Sequence, residues 1–161
     1  MKKVILFNPR SARAKHRIPN SILQVGASIH GKFDYVLVDG NLEKDPWVAI
    51  RKYLDTGDFG YFGCTVMPGP QLKQAIPYSK RIQEEYAGVT TIWGGYFSAN
   101  QYKSVIRSDY VHYVINGPGD EAFPQLLTAL ETNSTVDTIQ NLIFRRGDNI
   151  VKTPQAALLD Q

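Results

Sequence analysis

Cysteine is almost missing from this chain of 161 residues, because Cys64 is its only one. One thiol cannot form an intrachain disulfide, and it cannot supply a four-cysteine zinc site or hold an iron–sulfur cluster. Cys64 stands in an apolar segment, where most cysteines are small core residues. The sequence therefore excludes a cysteine-based metal centre within this chain, and it offers no base that would make Cys64 a nucleophile.

Long hydrophobic runs are also missing. No apolar stretch approaches the roughly 20 residues that a membrane-spanning helix needs. Only residues 4–7 form an apolar run near the amino terminus, and no small-residue cleavage site follows them. We therefore expect a cytoplasmic protein with neither a signal peptide nor a membrane partner.

Positive charge is not concentrated enough along the sequence to indicate a nucleic-acid-binding surface. The formal net charge is +3, and no basic stripe alternates with aromatic residues, so nucleic acid is not an expected partner. Part of the surplus lies in one loop and could either meet a phosphate or remain a solvated surface. The basic residues of that loop are Arg10, Arg13, Lys15 and Arg17.

The common catalytic and nucleotide-binding motifs are absent. No G-x-G-x-x-G follows the first predicted strand, and neither G-x-x-x-x-G-K-[ST] nor G-x-S-x-G occurs. The three histidines, His16, His30 and His112, do not have the spacing of metal ligands. We therefore assign no catalytic residue and no metal ligand to this chain.

The hydrophobic pattern alternates short β-branched segments with helix-length amphipathic ones. This alternation predicts a Rossmann-like (flavodoxin-like) α/β fold, with a five-stranded parallel sheet and helices on both faces. A β-hairpin is expected to follow, because residues 141–144 and 149–151 flank a glycine turn. Pro77 is expected to kink the third helix or delay its start. The strands are predicted at 3–7, 35–38, 61–66, 90–93 and 110–115.

Small and turn-forming residues follow the predicted strands. Ligands bind at the carboxyl ends of the strands in such sheets, and glycine lets a ligand approach the main chain closely. A plain strand-to-helix turn would also explain Gly94 and Gly95, and helix capping explains Asp120 and Glu121 better than catalysis does. The strand ends carry Asn8-Pro9, Asp39-Gly40, residues 65–70, Gly94-Gly95 and residues 117–121.

Several of these segments resemble one known family. Residues 58–67 (DFGYFGCTVM), residues 90–127 (TTIWGGYFSANQYKSVIRSDYVHYVINGPGDEAFPQLL) and the start VILFNPRSA are similar to the cobalamin-binding domains of class B radical S-adenosylmethionine enzymes. The hairpin NLIFRRGDNIVKTP resembles that family's extension toward its catalytic barrel. The resemblance covers nearly the whole chain. It divides the chain into a cobalamin-binding-like domain, 1–135, and a hairpin with a linker toward a further C-terminal domain, 136–161.

The resemblance implies a set of cobalamin-binding residues. Thr65 and Met67 take the places of a Ser-x-Leu motif that lines the pocket for the nucleotide tail, and the loop 8–13 faces the corrin ring. Gly94 and Gly95 let the tail pass, and Tyr96 and Phe97 form a wall. The complete implied set is Asn8, Pro9, Arg10, Thr65, Val66, Met67, Gly94, Gly95, Tyr96, Gly117, Gly119 and Glu121.

The first loop departs from other cobalamin domains, because it lacks the Asp-x-His-x-x-Gly motif whose histidine ligates cobalt. The resemblance therefore implies cobalamin without a protein histidine ligand. The iron–sulfur cluster and S-adenosylmethionine would belong to a partner radical domain on the C-terminal side, and this chain alone is expected not to be catalytic. Two alternatives stay open: a degenerate Rossmann-like scaffold or partner-binding domain without cobalamin, and a small stand-alone flavodoxin-like enzyme.

Overall fold

One mixed sheet organises the chain. The computed structural model describes residues 1–11 and 17–157. Their strands are β1 (Lys3–Asn8), β2 (Tyr35–Asp39), β3 (Phe59–Thr65), β4 (Thr90–Gly94), β5 (Tyr113–Ile115), β6 (Leu142–Arg146) and β7 (Asn149–Lys152). These seven strands pair in the order β2-β1-β3-β4-β5-β6-β7. The first five are parallel, and the last two form an antiparallel hairpin on the edge of β5. The predicted fold class and hairpin are confirmed.

Helices cover both faces of the sheet. They are α1 (Asn20–Ile29), α2 (Pro46–Leu54), α3 (Leu72–Glu85), α4 (Tyr96–Asn100), α5 (Tyr102–Arg107) and α6 (Gly119–Glu131). The amphipathic helix α1 packs with α6 on one face, whereas α2, α3 and α5 cover the other. Successive strand residues point to opposite faces, so one strand contributes side chains to both cores.

Large aromatic side chains fill the core under α2 and α3. Phe7, Phe62 and Trp93 come from three neighbouring strands and are fully buried. The indole nitrogen of Trp93 donates a hydrogen bond to Ser79 Oγ at 3.0 Å, so its polar atom is satisfied. Each such ring contributes roughly 1.5–3 kcal/mol by leaving water.

The strand order creates a crevice between β1 and β3. From β1 the chain crosses through α1 to β2 on one side, whereas the chain leaving β3 crosses through α3 to β4 on the other side. The loops after the two strands therefore diverge, and such switch points are where open α/β sheets bind ligands.

Two local expectations differ from the structure. The helix predicted at 100–107 is preceded by the short helix α4, which begins directly after Gly95. The fifth strand is shorter than predicted and begins at Tyr113, because residues 109–110 form a turn. The ring of Tyr110 packs there with its centroid 6.0 Å from that of Trp93.

None of the helices formed by residues 1–11 and 17–157 is long and apolar enough to cross a membrane.

Pro77 is exposed inside α3, which begins at Leu72, so the proline does not delay the helix. We expect Pro77→Ala to raise the free energy of unfolding by about 1 kcal/mol or more, because alanine restores a backbone donor for the carbonyl of Lys73 and favours the helix. Urea denaturation followed by circular dichroism measures the change. An unchanged or lower midpoint would show that the core depends on the local path that the proline imposes on α3.

Candidate functional site

A cavity of about 340 Å³ opens at the carboxyl edge of the sheet. It lies on the α1 and α6 face, beneath the first turns of both helices and over the ends of β1, β3, β4 and β5. It therefore occupies the switch point that the strand order creates. Its lining consists of Leu6, Ser21, Ile22, Gln24, Val25, Gly63, Cys64, Thr65, Ile92, Gly94, Gly95, Ile115, Gly117, Pro118, Gly119 and Phe123.

The cavity exists because glycines replace side chains on this face. Gly94 follows Ile92 by two residues in β4, so both point toward α1 and α6. The heavy atom nearest to a Cβ built on Gly94 is the Cβ of Ile115, at 3.9 Å. A Cβ on Gly63 would already meet Leu6 Cδ2 at 2.9 Å. Gly63 thus permits close packing at the base, and Gly94 leaves the open space above it.

The two glycines at the end of β4 have different roles. Gly95 has φ +93°, and a Cβ there would lie 2.8 Å from the backbone oxygen of Val66 and 2.9 Å from its nitrogen. Any side chain at Gly95 would therefore disturb the backbone with or without a ligand. Of these two glycines, only Gly94, whose φ is ordinary, can accept a side chain that fills the cavity without straining the backbone.

The polar part of the lining lies at the mouth. Ser21 and Gln24 are exposed on α1, and Thr65 is half-buried at the end of β3. The first turns of α1 and α6 also line the cavity, and neither helix has a side-chain N-cap. The first turn of α6 carries the carboxylates of Asp120 and Glu121, which already stand at the positive end of its dipole. The first turn of α1 carries no acidic residue, so its N–H groups and its dipole favour an anionic or hydrogen-bond-accepting group at this mouth.

Gln71 joins the loops beside the cavity. Its side chain is buried, and its Nε2 donates hydrogen bonds to Asn8 Oδ1 at 3.1 Å and to the Pro9 carbonyl at 2.9 Å. Its Oε1 accepts a hydrogen bond from the Met67 backbone N–H at 2.8 Å. One side chain at the start of α3 thus holds the loop after β1 against the loop after β3.

Arg10 joins the first loop to the loop after β2. Its Nε donates a hydrogen bond to the Gly40 carbonyl at 2.7 Å, and its Nη2 donates one to the Glu43 carbonyl at 2.6 Å. Its backbone N–H donates to Gln74 Oε1 at 2.7 Å. The guanidinium group is therefore engaged by main-chain carbonyls.

The structure divides the predicted cofactor-binding residues into two groups. Thr65, Gly94, Gly95, Gly117 and Gly119 line the cavity. The others surround it: Asn8, Pro9, Arg10 and Met67 belong to the hydrogen-bonded loops, Val66 is buried on the opposite face, Tyr96 is exposed, and Glu121 is exposed on the first turn of α6. Phe97, expected as a wall, packs against the core under α2 and α3.

Sequence reasoning missed the apolar residues that form most of the cavity. Gly63 carried a usable signal, because a glycine inside a buried strand marks a close approach of other groups. Ile22, Val25 and Phe123 carried none, since their periodicity predicts only that they are buried and not which strand they face.

The histidines of the described residues lie away from the cavity. His30 caps the carboxyl end of α1 and His112 precedes β5, so both are at the amino edge of the sheet. His112 Nδ1 accepts a hydrogen bond from the Thr91 backbone N–H at 3.0 Å. The residue is exposed at its edge, but the groups packed around the imidazole remove part of the water that would solvate its charged form and so lower its pKa. His16 lies outside the described residues. Within the part of the chain that the structure describes, no three His, Cys, Asp or Glu side chains are grouped to hold a metal ion.

Cys64 faces the core under α2 and α3, so it touches the cavity from the sheet side only. Burial raises the pKa of its thiol well above the usual range, which keeps the thiol protonated and unreactive.

Two solved structures share this fold, and one curated protein is similar in sequence to part of the chain. The radical S-adenosylmethionine methyltransferase TsrM from Kitasatospora setae, solved with cobalamin and a [4Fe-4S] cluster bound, is 18% identical with a TM-score of 0.79, over 100% of this chain and 30% of TsrM. The cobalamin-dependent radical enzyme OxsB, solved with aqua-cobalamin and S-adenosylmethionine bound, is 12% identical with a TM-score of 0.81, over 98% of this chain and 23% of OxsB. A curated relative, the anaerobic magnesium-protoporphyrin IX monomethyl ester cyclase of Synechocystis sp., is 20% identical over 79 residues, 48% of this chain and 16% of the cyclase.

The chain is therefore a Rossmann-like α/β domain that shares its fold with a region of two cobalamin-dependent radical S-adenosylmethionine enzymes. The structural resemblance expected from the sequence is confirmed. No protein-family profile matches the chain. It spans 30% or less of the length of these three proteins.

We expect Gln71→Leu to lower the free energy of unfolding by about 2 kcal/mol or more, because the buried groups that Gln71 satisfies lose their partner. Gln125→Leu, at an exposed position of α6, is the matched control and should change it by less than about 0.5 kcal/mol. Urea titration compares the two variants. Equal effects would mean that water replaces Gln71 between the loops.

Acid is expected to destabilise the fold through His112. Its folded pKa is lowered, so the unfolded chain takes up the proton first, and stability is lost as pH falls through about 6.5 toward the folded pKa. His112→Gln keeps an acceptor for the Thr91 N–H and should lose less stability between pH 7 and pH 5 than the parent chain. His30→Gln, at the carboxyl end of α1 and away from β5, is the control. Identical pH dependence of the urea midpoints in the parent and His112→Gln would refute this assignment.

Proposed function

We propose that this domain binds cobalamin, with the nucleotide tail of the cofactor in the cavity, and presents the corrin ring to a radical S-adenosylmethionine domain. The main support for cobalamin binding is the cavity at the β1/β3 switch point, which Gly94 keeps open. The fold shared with TsrM and OxsB, both solved with cobalamin bound, supports the same ligand.

The residues present fit a nucleotide tail. The cavity is deep and apolar, as an aromatic base requires, and its mouth has hydroxyl and amide groups from Ser21, Gln24 and Thr65. The uncapped first turn of α1, which carries no acidic residue, stands where a phosphate of the tail would enter. Base, sugar and phosphate thus each meet a matching part of the lining.

The corrin ring would lie over the carboxyl edge of the sheet. Met67 and Tyr96 follow β3 and β4 there and are 48% and 64% exposed, a large apolar area for two neighbouring strand ends. Gln71 and Arg10 hold the adjoining loops in place. In this proposal the loop residues support the ring, whereas the cavity residues bind the tail.

We extend the proposal to the cobalt ion, which would have no histidine ligand from the described residues. His30 and His112 lie at the other edge of the sheet, and His112 is already hydrogen-bonded to the backbone. Bound cobalamin would supply a cobalt centre able to carry a transferable group. The iron–sulfur cluster and S-adenosylmethionine would belong to the radical domain, and this domain's own residues would bind and orient the cofactor.

We further propose a cytoplasmic location without a membrane or nucleic-acid partner. The chain would divide into a cobalamin-binding part, 1–135, and a part that connects it to the radical domain, 136–161.

Absorbance titration of the purified chain with hydroxocobalamin tests the proposal. We expect a saturable spectral shift, and we expect Gly94→Val to weaken binding by about tenfold or more, because the valine side chain fills the cavity without straining the backbone. Gly88→Val is the matched control, since Gly88 is exposed and a Cβ on it would meet no other atom within 4 Å.

Cobinamide, which lacks the tail, should bind the parent and Gly94→Val equally. No saturable shift in a chain whose circular dichroism shows a folded sheet would overturn the proposal and favour the alternative of a scaffold that has lost cobalamin.

A further inference from the structure

We infer that the cavity selects the base of the nucleotide tail, preferring an apolar aromatic base such as dimethylbenzimidazole to a purine. This inference rests on the proposed function and specifies which members of the cobamide class the site takes.

The deep part of the cavity contains only hydrocarbon side chains. These side chains are 1–4% exposed, and they come from three strands and from both covering helices, so the base would be enclosed on several sides. They are Leu6, Ile22, Ile92, Ile115 and Phe123.

Backbone polar groups next to Leu6 and Ile92 are used by the sheet. Leu6 lies in β1 and pairs with residues of both β2 and β3, and Ile92 lies in β4 and pairs with residues of both β3 and β5. Ile115 pairs with Leu142 of β6, whereas the pairing of β5 with β4 ends one residue earlier. The N–H and C=O groups of Leu6 and Ile92 therefore serve the sheet and not a ligand.

The polar side chains of the lining are grouped at the mouth. Ser21 and Gln24 are three residues apart on α1, so they lie on one side of that helix, and both are exposed. With Thr65 they can bind the sugar, the phosphate and the ring nitrogen nearest the mouth. The far edge of the base therefore meets no hydrogen-bond partner.

A purine places an exocyclic amine and ring nitrogens along the edge that would be buried, whereas dimethylbenzimidazole places two methyl groups there. A buried polar group without a partner is costly, and methyl groups gain from leaving water. We therefore expect the adenine-tailed cobamide to bind about tenfold or more weakly than cobalamin. A cresol-tailed cobamide, whose base has no nitrogen, should bind within about threefold of cobalamin, because its ring edge is equally apolar.

The experiment compares the dissociation constants of cobalamin and the cresol-tailed and adenine-tailed cobamides with that of cobinamide, using absorbance titration of the parent chain. Equal binding of the adenine-tailed and dimethylbenzimidazole-tailed cofactors would overturn the inference and leave the proposed function intact. If none of the four bound, the proposed function itself would fail.

Two variants locate the selection within the cavity. Gly94→Val, which fills the cavity, should bring all tailed cofactors close to cobinamide and remove the discrimination. Ile115→Thr places a hydroxyl group among the apolar side chains and should narrow the gap between the adenine and benzimidazole tails. If Gly94→Val still bound the benzimidazole-tailed cofactor more tightly than the adenine-tailed one, another part of the chain would select the base. If Ile115→Thr fails to fold, the dissociation constants of the four cofactors with the parent chain and with Gly94→Val still test whether the cavity selects the base.

Discussion

The parallel pairing of β1 with both β2 and β3 is the constraint on which the rest of this structure depends. Because β1 stands between its two neighbours, the chain must leave it in one direction and leave β3 in the other. The crevice between the diverging loops is a consequence of that order, and every residue of the candidate site is placed relative to it. The hairpin of β6 and β7 covers the far edge of β5 and does not alter the crevice.

A crevice becomes a binding site only if side chains leave it open. Gly63 and Gly94 remove side chains from the floor on the α1 and α6 face, whereas Gly95 and Gly117 adopt positive φ values that the turns require. Glycine therefore has two different roles here. At Gly94 the missing side chain leaves open space, whereas at Gly95 the backbone conformation itself requires glycine. Only Gly94 therefore gives evidence for a ligand.

Hydrogen bonds between loops make the carboxyl edge of the sheet beside the cavity rigid. Gln71 and Arg10 connect the loops after β1, β2 and β3, so a ligand at this edge would meet a surface that is already arranged and would lose less entropy on binding. Two features would then account for affinity: an apolar cavity for the tail, and a fixed platform for the ring. The division matches the way the predicted residues separate in space, with the glycines and Thr65 in the cavity and Asn8, Pro9 and Met67 in the platform.

The sequence by itself determined the fold class, the five parallel strands, the hairpin and the edge of the sheet where a ligand would bind, because strand and helix periodicities and turn residues are local properties. It also determined the structural resemblance to cobalamin-dependent radical enzymes, carried by motifs at the strand ends. Only the tertiary structure decided that Thr65 faces the cavity and Val66 the opposite core, that Arg10 is engaged by carbonyls, and that Ile22 and Phe123 complete the walls. Those outcomes depend on which helix packs on which face, and that is set by contacts between residues far apart in the chain, which local periodicity does not encode.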